Sequence, residues 1–208
     1  MTRPGRPKKG EEIVRRDQLL EHAHRLFAEH GYANLTLETL AREARVSLRT
    51  IYRQFGGKSE LFGAVVRHYS DLFVATLPTD WTQAKPLEET LSEFAREFLF
   101  RLTRPEMIRL RAQLMAEAHR FPDLAAEFYA QGPARTLDRL AQFFAFHQRA
   151  GRVRAMEPLF LAGQFVNCLR GERFQRLQLG LDGTPTETDI ERWADEAVGL
   201  FLAGCLIP

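Results

Sequence analysis

Between residues 36 and 58, in TLETLAREARVSLRTIYRQFGGK, hydroxyl, phenol, guanidinium and ammonium groups recur at short intervals. Ser47, Arg49, Thr50, Tyr52 and Arg53 fall close together, and Lys58 follows. Donors and positive charges in such a cluster suit recognition of a polyanion. Hydroxyl and amine groups bond phosphate oxygens and fix register, while a guanidinium can pair in bidentate fashion with guanine O6 and N7. Arg49 is the most informative of the set, because that pairing is worth about 1–3 kcal/mol of base discrimination. The sequence leaves open whether it reads a base or clamps a phosphate. Leu48 cannot hydrogen-bond, but it can pack on a thymine methyl.

Two short helices must present these groups. Thr36 is placed to cap the first, with Glu38 in its positive first turn. Leu37, Leu40, Ala41 and Ala44 then recur at i, i+3, i+4 and i+7. The pattern breaks around Arg45, and Ser47 offers a second cap. Leu48, Ile51, Tyr52 and Phe55 carry the next apolar stripe until Gly56-Gly57 stops it. Helices joined by so tight a turn have the shape of a DNA-reading helix-turn-helix. If the second enters the major groove, Ser47, Leu48, Arg49 and Thr50 face the bases, with Tyr52 and Arg53 flanking. Neither helix is stable alone. The spacing predicts a supporting helix over residues 13–30, burying Leu19, Leu20, Ala23, Leu26 and Phe27 and ending at Gly31. His22 and His24 lie about 200° apart on that helix, so they cannot share a metal; both read as surface residues.

The run Val46-Ser47-x-x-Thr50-Ile51-Tyr52-x-x-Phe55-x-x-Lys58-x-x-Leu61 resembles the TetR family of bacterial transcriptional repressors. So does its prelude, Leu26-Phe27-Ala28-Glu29-x-Gly31-Tyr32 followed by Thr36. The resemblance implies a DNA-binding domain over 13–59 (motif 37–56), a connector helix over 60–77, and a ligand-sensing and dimerisation domain over 78–208. It places Thr36, Tyr52 and Lys58 at positions that touch phosphates. The family often has Gly where Arg49 stands. A homodimer would set two reading helices about 34–36 Å apart on double-stranded operator DNA and so read a near-palindrome. Family members typically release DNA when a small-molecule effector changes the spacing of the two heads. The segment HRFPDLAAEFY, residues 119–129, resembles an AefR-like subgroup. Ahead of the helices, residues 1–12 read as a disordered basic arm. Its Gly5-Arg6-Pro7 resembles the core of an AT-hook, which would lay Arg6 in a narrow minor groove.

The charge distribution agrees. Residues 1–58 hold 12 Lys and Arg against 7 Asp and Glu, and the rest 17 against 20. A basic front suits nucleic acid. The remainder reads as amphipathic helices without any period-2 strand pattern, so the chain is expected to be all-α with about nine helices. Phe94, Phe98, Met107, Met115, Phe128, Phe143 and Phe165 are candidates to line an apolar effector cavity, with His119, Asn167 and Arg170 as polar partners. The two closing helices, through Phe160, Phe165, Trp193, Ala197 and Phe201, are candidates for the dimer interface. Cys168 and Cys205 sit among apolar residues and read as buried reduced thiols.

No apolar run reaches the length of a membrane span, and no signal peptide pattern opens the chain, so a cytoplasmic location is expected. There is no nucleotide-binding glycine loop, no His-Glu-x-x-His and no Gly-x-Ser-x-Gly; neither enzyme activity, metal nor cofactor is expected. Two other readings share these parts. One is an architectural DNA-binding protein without an effector, and the other is a ligand-dependent activator or co-repressor.

Overall fold

The computed structural model describes residues 9–80 and 85–206, with the side chains of the first helix from residue 15 onward. Arg6 and Trp81 lie outside the described residues. Within them run ten α-helices and no strand: α1 (Lys9–Asn34), α2 (Leu37–Glu43), α3 (Leu48–Phe55), α4 (Lys58–Val74), α5 (Leu87–Leu102), α6 (Pro105–Glu117), α7 (Pro122–Tyr129), α8 (Arg135–Arg149), α9 (Pro158–Gln178) and α10 (Glu187–Cys205). A π-helical turn, Ala130–Ala134, joins α7 to α8 in one continuous rod, so the described residues form nine rods.

Helix α1 starts at Lys9, four residues before the expected boundary, so residues 9–12 belong to the helix rather than to the arm. The expected stop at Gly31 is present: its φ of 79° and ψ of 162° lie in a region that is essentially glycine-only. At Gly132-Pro133, where a proline would break a regular α-helix, the chain passes through the π-turn. Pro133 has no N–H, and in a regular α-helix its ring would meet the Tyr129 carbonyl. The wider π-turn accommodates both defects. Gly132 is also required by proximity, since a Cβ there would stand 2.9 Å from Val66 Cγ1.

Two cores result. Leu20, Phe27, Leu40, Ile51, Leu61 and Phe62 pack where α1 to α4 meet, and Leu110, Leu114 and Leu124 from α6 and α7 close that cluster from the C-terminal half. The second core holds Phe94, Phe143, Phe144, Phe165, Trp193 and Phe201. This corrects the expected dimer face: Phe165, Trp193, Ala197 and Phe201 are all consumed inside one protomer. Of that set only Phe160 looks outward, half exposed beside Leu159, while Leu200 on α10 is 73% exposed. Cys205 is buried as expected, Cys168 is partly buried, and both are free thiols.

The histidines also need correction. His22 is exposed and pairs with the Gln18 carbonyl, but His24 is buried against Tyr69, with ring centroids 4.2 Å apart. Burial pushes the His24 imidazole down to about 4. His147, fully buried beside Phe143, is pushed to about 4 by burial first and by the Arg152 charge second. The unfolded chain takes up these two protons near pH 6.5, the folded chain only near 4. Between those values the unfolded state binds more protons, so stability is complete above about 6.5 and falls as pH drops. Replacing His147→Leu should flatten that decline, read as the difference in unfolding free energy between pH 7 and pH 5 by urea denaturation. An unchanged difference would mean that His147 is not a source of acid sensitivity.

Candidate nucleic-acid interface and effector cavity

Both predicted caps are made. Thr36 Oγ1 accepts from the Thr39 N–H at 3.1 Å, and Ser47 Oγ accepts from the Thr50 N–H at 3.0 Å. Between them the turn closes as a Schellman motif: the Val46 N–H reaches the Ala41 carbonyl at 2.9 Å, and the Arg45 N–H reaches that of Arg42. Arg45 carries the positive φ of 54° that this motif requires, a position usually taken by glycine. These devices hold α3 with Ile51 inward and Arg49, Tyr52 and Arg53 outward. Among the described residues Arg49 and Arg53 form no ion pair, so the outer face of α3 carries uncompensated positive charge.

Not every predicted contact is equally presented. Thr36 and Ser47 are exposed, but the Ser47 and Thr50 hydroxyls bond each other at 2.7 Å. Leu48 is partly buried against the core of α1–α4, which limits the surface it can offer to a thymine methyl. Lys58 turns inward. Its Nζ donates to the Ala33 carbonyl at 3.4 Å and lies 4.4 Å from the centroid of the Tyr32 ring. Burial lowers its pKa, with Glu117 acting in the opposite sense.

The other side of that joint belongs to α6. Glu117 Oε2 accepts the Ala33 N–H at 3.1 Å, and Gln113 Nε2 donates to the Ala28 carbonyl at 3.1 Å. The Ala33 peptide group is thus held from α4 on its carbonyl side and from α6 on its N–H side. Sequence reasoning missed Gln113 and Glu117, because a polar residue on an amphipathic helix normally reads as solvated.

The same α6 forms one wall of a cavity of about 280 Å³. Its other walls come from Val65, Val66 and Tyr69 on α4, Phe98 on α5, Phe128 on α7, the π-turn, and Val166, Asn167 and Arg170 on α9. Of the residues the sequence offered for an effector site, Phe98, Met107, Phe128, Asn167 and Arg170 line this cavity. Phe94, Phe143 and Phe165 instead fill the second core, and Met115 and His119 lie on the surface. Arg111, also on the wall, was not foreseen. Its signal was present: Met107, Leu110, Arg111 and Leu114 stand at i, i+3, i+4 and i+7, so an arginine occupies an apolar-stripe position.

Comparison with known proteins follows the same division. Residues 19–65 match the family described as bacterial regulatory proteins, tetR family, and residues 89–204 match the AefR-like transcriptional repressor C-terminal domain. Over 190 residues the chain is 29% identical to an HTH-type transcriptional repressor of Mycobacterium tuberculosis, covering 85% of this chain and 95% of that protein. Among solved structures, a TetR-family regulator from Mesorhizobium loti superposes with a TM-score of 0.77 at 25% identity, covering 97% of this chain and 100% of that one. The flavonoid-responsive regulator FrrA superposes with a TM-score of 0.70 at 31% identity, covering 93% and 98% respectively.

The contrast between the two basic residues is measurable without DNA. Lys58→Ala removes a charged hydrogen bond and a cation–π contact and should cost about 1–3 kcal/mol. Arg49→Ala, on an exposed side chain with no partner, should stay within about 0.5 kcal/mol of the parent. Thermal denaturation of the two variants decides, and equal melting temperatures would refute the structural role given to Lys58.

Proposed function

Since the chain belongs to the TetR family of bacterial transcriptional regulators, we propose that it is a repressor that grips a near-palindromic operator as a homodimer and is released by a small, largely apolar molecule. The observation that carries this reading is that cavity and reading module share two helices. Helix α6 offers Met107, Leu110 and Arg111 to the cavity and, one to two turns on, Gln113 and Glu117 to the end of α1. Helix α4 offers Val65, Val66 and Tyr69 to the cavity and begins at Lys58. A molecule that parts α4 from α6 pulls the Ala33 joint from both sides and re-aims α3.

The magnitudes are compatible. Release by a factor of a hundred needs about 2.8 kcal/mol of differential binding between the two states. One hydrogen bond to a charged group, such as that from Ala33 to Glu117, contributes about 1.5–3 kcal/mol. The similarity to FrrA, a regulator named for its response to flavonoids, supports a small-molecule signal here.

On DNA, the exposed Arg49 is the base reader, Arg53 and Tyr52 flank it, and Thr36, Ser47 and Thr50 present hydroxyls to the backbone. Lys58 adds its remaining donors to a phosphate beside the Ala33 joint. For the dimer, the outward strip is Leu159 and Phe160 on α9 with Gly199, Leu200, Ala203 and Gly204 on α10. Small residues there let two helix pairs approach closely as a four-helix bundle.

Fluorescence anisotropy against the DNA flanking the gene, with random DNA as reference and a salt series, tests the core of this reading. Specific binding should exceed non-specific by about 10³-fold or more, with two chains per site. A ratio near one would sink the repressor and favour architectural binding. In the same assay Arg49→Ala should cut discrimination at one position of each half-site by about 1–3 kcal/mol. Glu117→Ala should shrink the affinity ratio between effector-free and effector-bound protein. Undiminished release in that variant would exclude the Ala33 joint as the transmission route.

A further inference from the structure

The cavity holds two positive charges that no carboxylate among the described residues pairs with. Arg111 on α6 and Arg170 on α9 both line it, and the Nε atoms of both are buried without a hydrogen-bond partner. No aspartate or glutamate is among the described residues that line the cavity, and neither guanidinium has an ion pair there. Their nearest companions are aromatic faces: Arg111 lies 5.9 Å from the centroid of Phe128, and Arg170 lies 5.8 Å from that of Phe98. Burial pushes Arg170 down to about 10, and the charge of Arg111 pushes it in the same direction. Both still carry their full charge at neutral pH. Elsewhere in the chain more exposed arginines are paired, as Arg135 is with Asp71 at 2.6 Å and Arg173 with Glu196 at 2.8 Å.

Two partly desolvated cations on apolar walls, with no carboxylate among the described lining residues, form an incomplete ion-pair site. Taking such groups out of water is unfavourable unless an anion completes them. Guanidinium groups bond carboxylates in a planar, bidentate way. Around them Val65, Val66, Leu110, Met107 and Val166 supply surface for hydrocarbon, and Asn167 adds an amide. We propose that the effector is an amphipathic organic anion, its carboxylate seated between Arg111 and Arg170 and its apolar body against α4 and α6. The assignment rests on the cavity being the effector site and narrows its chemistry from apolar to apolar and acidic. It also gives the ligand a lever, because an anion that draws Arg111 toward Arg170 draws α6, and with it Glu117, toward α9.

The test uses the intact protein without DNA and matched probes that share a body and differ in charge. Decanoate is compared with decanol, and 4-phenylbutyrate with 4-phenylbutanol, by isothermal titration calorimetry below their aggregation concentrations. At least one acid should bind tenfold or more tightly than its alcohol, since hydrogen bonds to charged groups are worth about that factor or more. Arg170→Met and Arg111→Met should each erase the preference. Arg170→Met should also raise the melting temperature of the ligand-free protein, because it removes an unanswered buried charge; that rise shows the variant is folded and is not expected of an arginine that is structurally satisfied. Alcohols binding as well as the acids would overturn the proposal while leaving an apolar effector standing. Failure of every acid to bind, or a preference that survives both substitutions, would overturn it as well. Operator release is scored separately by anisotropy. Acid binding without release would uphold the charge assignment and count against the effector reading alone.

Discussion

One peptide group, that of Ala33, couples the two halves of this protein. Gly31 takes a conformation denied to other residues, α1 breaks there, and the last turn of the helix loses its regular partners. The N–H and carbonyl of Ala33 are then taken up by Glu117 of α6 and Lys58 of α4. Tyr32, one residue earlier, stacks among Phe27, Phe62 and Phe121 and so fixes the same joint through its ring. Everything the reading helix does is referred to this point, since α2 and α3 are too short to hold an orientation of their own. Burying Leu110, Leu114 and Leu124 in the reading module's core makes the attachment apolar as well as polar.

The chain uses unpaired arginine in two settings with different costs. On α3, Arg49 and Arg53 stand in water, which solvates them fully, so leaving them free costs the fold almost nothing. Inside the cavity, Arg111 and Arg170 lose part of that solvation, their Nε atoms above all, and the empty protein carries the penalty. Several surface arginines elsewhere are neutralised by a carboxylate, as in the Arg96–Asp195 and Arg176–Asp182 pairs. Net charge of +2 therefore hides the organisation that matters, which is where positive charge is left without an answer.

Much of the reading module was legible in the sequence because its determinants are local. Capping hydroxyls, glycine stops and a broken stripe at Arg45 act over three or four residues, and the structure places each as the spacing implies. The sensing half was legible as helices but not as a site. Periodicity reports which face of a helix is buried and not what buries it, so Phe94 and Phe98, one turn apart on α5, looked alike although one fills the core and the other lines the cavity. The same limit misassigned Trp193, Ala197 and Phe201, whose burial is supplied by their own chain. His24 escaped for a related reason: two histidines 200° apart cannot both face water on a helix packed on one side. Arg111 was detectable only as a charged residue standing in an apolar register.

The π-turn at Ala130–Ala134 bears on how such proteins diversify. It amounts to one surplus residue accommodated within an otherwise continuous rod. Deleting that single surplus residue would restore ordinary α-helical winding and leave the side chains beyond it close to their present facing, because the bulge already absorbs the extra residue. Thr136 and Leu137 would stay on the cavity wall, whereas the stretch of wall made by Gly132 and Pro133 would be rebuilt, while α1–α3 kept their sequence. A lineage carrying this bulge can thus reshape one patch of the cavity through one codon's loss or gain, without touching the helices that face DNA.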